Sequence, residues 1–116
     1  MITKYSTRRF DKPDERRTFP YGRFDLVTIA GITLGRAIYD PGWHWSEHIG
    51  ESADARCQSE HLGIVLAGRA AVQGNGYSGV MGPGDIFAIP PHHDSWVVGE
   101  ESYESLHLQG AGGYGR

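Results

Sequence analysis

The stretch Gly42-Trp-His-Trp-Ser-Glu-His48 crowds two tryptophans, two histidines and a glutamate together, and a further histidine, His61, follows thirteen residues after His48. Imidazole is neutral near physiological pH and is the commonest protein ligand for transition metals. Read as a strand, the period of two puts His44, Ser46 and His48 on one face and Trp43, Trp45 and Glu47 on the other. One face then packs, while the other either coordinates a metal or meets water, and the segment alone suits both readings. His61 opens an apolar run, where an imidazole must hydrogen-bond, bind metal or sit at a rim. His93 shares a face with Ser95 just after Pro90-Pro91. Three histidines on three strands, His48, His61 and His93, would form a metal site if the fold brings them together.

Other donors stand around this set. Cys57, four residues before His61, could supply a soft thiolate favouring Zn or Cu(I) over Mn; as a small, half-buried residue it would do nothing chemical. Glu47 could accept a hydrogen bond from a ligating imidazole, with Trp45 and Trp96 packing outside the cavity. His107 alternates with Leu106 and Leu108 and reads as surface, and His92 falls in a turn. Asp85 and Asp94 fall in turns, where carboxylates cap backbone amides.

The elements that must position these residues are strands. Phe24–Ile29 and Ile32–Tyr39 flank the hairpin signal Ala30-Gly31, and Asn75-Gly76 precedes Tyr77–Met81. His61–Val72 is apolar at both alternating sets of positions, which predicts one strand sandwiched between layers. Ile86–Ile89, Ser95–Val98 and Tyr103–Leu108 complete about eight short strands, with no convincing helix. The pattern predicts an all-β sandwich or barrel whose interior receives alternate side chains.

The 116 residues suffice for one core. Seventeen glycines, roughly double the usual share of about 7%, are dispersed between apolar runs and so mark tight turns. No apolar run reaches the ~20 residues of a membrane span, and no export signal is evident at the N-terminus, so a cytoplasmic protein is expected. One cysteine excludes an intrachain disulfide framework. Residues 1–23 carry Lys4, Arg8, Arg9, Lys12, Arg16, Arg17 and Arg23 against Asp11, Asp14 and Glu15, a balance of +4; the whole-chain charge of −3 leaves the remainder at −7. Acids interrupt the basic residues, and no recognition helix or stacking platform accompanies them, so nucleic acid is not the expected partner. The arm is expected to pack on its own acidic body or on a second subunit. Residues 24–109 would form the barrel and 110–116 a flexible tail.

"GWHWSEH", "HLGIVLAG" and "GPGDIFAIPP" together resemble the cupin superfamily, small barrels of the double-stranded β-helix or jelly-roll type. The chain is similar to a subgroup of small single-domain cupins around "RTFPYGR", "GITLGRAIYDPGWHWSEH", "CQSEHLGIVLAGR", "PPHHDSWVVGEE" and "QGAGGYG". The resemblance implies that the second of the paired cupin histidines falls on His48, with Ser46 in the place of the first and His44 one alternate step further. His61 stands where the pattern has glutamate, Ser95 where it has its last histidine, and His92 where it has glycine. The set left is His48, His61 and His93, with His44 and Cys57 behind them and Ser46, Glu47 and Ser95 nearby. It implies a divalent transition metal (Fe, Zn, Mn, Ni or Cu), a small-molecule ligand or substrate and a homodimer. An enzyme of oxygenase, isomerase or lyase type, a non-catalytic sensing module and a metal-free structural barrel are all compatible with it.

Overall fold

A computed structural model describes residues 2–48 and 60–109, apart from the side chains of Glu47, His48 and Gln109. Its strands are β1 (Glu15–Phe19), β2 (Gly22–Ile29), β3 (Ile32–Tyr39), β4 (His61–Ala67), β5 (Arg69–Gly74), β6 (Tyr77–Met81), β7 (Ile86–Ile89), β8 (Asp94–Val98) and β9 (Tyr103–Gln109); one helical turn, α1, covers Trp45–His48. They form two antiparallel sheets, one of six strands in the order β1-β2-β3-β9-β4-β7 and one of three in the order β6-β5-β8. The molecule is all-β apart from α1, and the two-sheet arrangement is that of a jelly roll. Among the described residues no helix is long and apolar enough to cross a membrane.

The hairpins follow from local turn chemistry. Ala30 and Gly31 both take positive φ (51° and 75°), the twist that joins β2 to β3 in continuous register. Asn75-Gly76 also joins β5 to β6 in continuous register, with positive φ at Gly76 alone (86°). Inside, Phe24, Leu26, Tyr39, Trp43, Trp45, Val65, Phe87 and Tyr103 form the core. Each such side chain contributes about 1.5–3 kcal/mol when buried. Trp43 stacks on Tyr39, with ring centroids 3.9 Å apart and planes 7° from parallel.

The run His61–Val72 is not one sandwiched strand. It breaks at Gly68, whose φ of +70° turns the chain from the six-stranded sheet into the three-stranded one. A side chain there would also collide with the Ser102–Tyr103 backbone. In β4 only His61, Gly63 and Val65 face inward; Leu62 and Leu66 are exposed. Ile86–Ile89 likewise buries only Phe87 and Ile89.

The N-terminal arm lies on its own chain. It supplies edge strand β1, and the division expected at residue 23 falls inside β2. Asp14 takes a backbone bond to Leu26, and its carboxylate accepts from Arg8 and from the Thr28 amide. Arg16, with Arg23 and Arg36, ion-pairs to the fully buried Asp25.

Candidate functional site

The segment Trp43–His48 does not run as an alternating strand. Trp43 and His44 lie against β8, with Val97 N–H donating to the Trp43 carbonyl and a bridge between His44 and Trp96. The chain then turns into α1. The cause is Asp94, the first residue of β8 rather than a turn residue, whose Oδ1 accepts the Ser46 amide at 3.1 Å and caps the helical turn from 48 residues away. Trp43 and Trp45 are both buried, as a packing face requires, but Trp43 lines the cavity with His61 and His93 instead of lying opposite the histidines. His44 faces neither the barrel interior nor His61: its Nε2 lies 2.8 Å from Asp94 Oδ2, and its ring leans on Trp96. His48 belongs to α1, but its side chain, that of Glu47, Cys57 and the tail 110–116 lie outside the described residues. His92 is exposed at positive φ.

His61 and His93 do meet, and they meet a third histidine that the alternation of leucines concealed. On β9 the inward residues are Tyr103, Ser105 and His107, and the leucines point outward, so the surface reading of His107 is wrong. The His61 ring centroid lies 5.3 Å from that of His93 and 5.1 Å from that of His107, both edge-to-face. His61 begins β4, His93 immediately precedes β8, and His107 sits in mid-β9. Register explains how so large a side chain fits there: His107 is paired with Gly35 on one side and Gly63 on the other. A Cβ at Gly63 would strike the Leu106 carbonyl and come within 2.6 Å of Phe87 Cζ. The space left by these glycines lets Phe24 and Phe87 take edge contacts with the His107 ring, at 5.1 and 5.4 Å. The signal available in the sequence was the set Tyr103, Ser105, His107 at alternate positions, the polar half of a strand whose apolar half is exposed.

The three rings border a cavity of about 30 Å³, with Tyr39, Trp43, Ser95 and Tyr103 also in its wall. That is the size of a single water. Trp43 Nε1 is buried with no hydrogen-bond acceptor among the described residues.

Burial governs the charge of the cluster. Desolvation, then the neighbouring His93, pushes the His61 pKa down to about 3. His107 is held well below the ordinary imidazole value by burial and by His61 and His93. Burial also lowers His93, opposed by the Pro90 carbonyl and Asp94. All three are neutral at pH 7, the form that ligates metal. Pro90 O lies 2.8 Å from His93 Nδ1 and can only accept, so Nδ1 carries the proton and Nε2 the lone pair. His107 Nε2 lies 3.1 Å from the buried Ser105 hydroxyl. Burial raises the Tyr103 phenol to about 12, so it stays protonated. Three neutral imidazoles suit a divalent transition metal in donor chemistry. In this packing the rings lie edge against face, and among the described residues no three His, Cys, Asp or Glu side chains converge as a ligand group.

No protein-family model matches the chain, and no curated protein matches it. Solved structures do. A protein of unknown function from Rhizobium leguminosarum aligns with TM-score 0.59 at 21% identity, over 90% of this chain and 95% of its own. KdgF from Halomonas aligns with TM-score 0.56 at 18% identity, over 78% and 81%. A cupin-like protein from Thermotoga maritima aligns with TM-score 0.56 at 15% identity, over 83% and 76%. The chain has a cupin-type fold.

Proposed function

We propose that the barrel interior is a divalent transition-metal site, with His61, His93 and His107 as protein ligands and His48 as a further donor. The observation that supports this reading is three buried, neutral imidazoles around one cavity with no carboxylate among them. Imidazoles grouped in this way gain nothing from charge, and an apolar filling would satisfy the core at lower desolvation cost. His93 is already set in the tautomer that presents Nε2. A metal bound here would act as a Lewis acid or hold a small ligand such as water or dioxygen. The chain's own residues limit what else enters. Tyr39, Trp43 and Tyr103 wall the cavity, and its volume admits one water-sized molecule beside the imidazoles. Any organic substrate of an oxygenase, isomerase or lyase reaction would approach from outside this space, and a reading as a sensor of metal or a small ligand uses the same residues.

Elemental analysis of protein purified without chelator tests the site. We expect about one metal per chain, as for a mononuclear centre, lost in the His61→Ala/His93→Ala/His107→Ala variant while its strand circular dichroism persists. His44→Ala should keep the metal, because Asp94 holds that ring elsewhere. Protein that takes up no Fe, Mn, Ni, Cu or Zn on incubation would end this reading.

A further inference from the structure

The cavity between His61, His93 and His107 is bounded by groups that can hydrogen-bond as well as by apolar rings. A buried space of this size stays dry when its wall is apolar and holds a water when the wall offers two or more polar partners. Tyr103 and His107 find a partner on their own strand. The phenol hydroxyl bonds to Ser105, whose hydroxyl also lies 3.1 Å from His107 Nε2. Trp43 does not. Its Nε1–H is buried with no acceptor among the described residues, and a donor left unbonded in the interior is costly. The ring cannot swing out to find one, because it is 2% exposed and stacked on Tyr39. Its backbone is also tied to β8 by the bond from Val97 N–H. On the same wall, His93 Nδ1 donates to the Pro90 carbonyl, so its Nε2 offers a lone pair. A fixed donor and a fixed acceptor thus border one cavity of about 30 Å³.

We propose that this cavity is a binding site for one water molecule, which accepts from Trp43 Nε1–H and donates to His93 Nε2. The pairing of groups selects the ligand. A cation alone would leave the indole donor unmet. An anion would face a lone pair among neutral imidazoles, with no positive charge to offset its desolvation. An organic molecule is too large for the space. Water both accepts and donates at the size required. The inference concerns the metal-free protein and so goes beyond the metal reading without needing it. Joined to that reading, it names Trp43 as the positioning residue for the small ligand of the metal, because its N–H is the donor on this wall that the protein itself leaves unmatched.

A high-resolution crystal structure of the chelator-treated wild-type chain tests this. We expect one ordered water within about 2.7–3.2 Å of both Trp43 Nε1 and His93 Nε2. Trp43→Phe keeps an aromatic ring against Tyr39 but removes the donor, and should lose the ordered water. Ser95→Ala, a change to another residue of the same wall, should keep it. Trp43 Nε1–H donating to a protein carbonyl or to an aromatic face, or a metal-free cavity without density, would overturn the proposal. So would a water that contacts only one of the two groups. The metal reading is tested separately by metal uptake. A bridging water in a chain that takes up no metal would end that reading and support this one, whereas metal uptake by a chain whose Trp43 N–H bonds elsewhere would do the reverse.

Discussion

The six-stranded sheet buries polar side chains on both faces, and it treats them in opposite ways. On the outer face Asp25 is fully buried and charged, because guanidiniums surround it. Burial alone would raise its pKa, but the hydrogen bond and charge of Arg16, then Arg36 and Arg23, hold it below the ordinary value of 3.8. On the inner face, two positions along β9 from the row that pairs Ala37 with Ser105, His107 meets aromatic rings, the Ser105 hydroxyl and the His61 imidazole, with His93 nearby, and stays neutral. A buried group given an opposite charge becomes a fixed structural ion. A buried group given its own kind becomes an uncharged lone-pair donor. The first arrangement ties the arm to the sheet through Arg16; the second is the one on which the proposed metal site rests.

The sharpest way to break the contrast is Asp25→Ala, which leaves three arginines around an uncompensated site. It should cost about 3–5 kcal/mol in denaturant unfolding, and a variant within 1 kcal/mol of wild type would show that water already screens the cluster. Acid separates the two faces next. In metal-free protein the folded state holds the imidazoles below 6.5, so the unfolded chain binds protons first. Their contribution is complete above about pH 6.5 and is lost as pH falls toward 3, at about 1.4 kcal/mol per pH unit for each histidine fully protonated only when unfolded. The Asp25 contribution runs lower, complete above about pH 4 and lost as pH falls through its depressed pKa. His107→Phe should therefore flatten the stability curve between pH 6 and 4.5 and leave the steeper acid limb in place. Gly63→Ala should cost about 1–3 kcal/mol by overpacking, since its Cβ meets Phe87 and the Leu106 carbonyl; unchanged stability would mean β9 can withdraw freely from β4. The smallest effect belongs to Asp94→Ala, about 0.5–2 kcal/mol in denaturant unfolding for a lost cap on the Ser46 amide.

Features written in neighbouring residues were legible in the sequence. Ala30-Gly31 and Asn75-Gly76 announce their hairpins, Asp85 caps the Gly82 amide as a turn carboxylate should, and His61 and His93 stand at the ends of apolar runs that lead inward. Features decided by distant partners were not. Nothing near Trp45 declares a helical turn, because Asp94 makes it. Nothing near Gly68 says that the chain changes sheets there, since Leu62, Ile64 and Leu66 extend the apolar pattern without a break. His107 was hidden for a related reason. Apolar residues are ordinarily read as inward, and on β9 the leucines lie on the exposed face while tyrosine, serine and histidine are inside. The misreadings of β4 and β9 thus have one cause, an outer face that carries exposed aliphatic side chains such as Leu62, Leu66 and Leu108.

The Trp43–Tyr39 stack has an optical consequence. Trp43 is buried, shares a wall with His61 and His93, and lies flat against a phenol ring. Its emission should be blue-shifted and sensitive to whatever enters the cavity, since a paramagnetic ion or a protonated imidazole at that range quenches indole. Trp96, half-exposed beside His44, would emit to the red and serve as the internal reference. With the other buried indole removed as Trp45→Phe, the protein carries a two-colour gauge of its own interior, readable without a label.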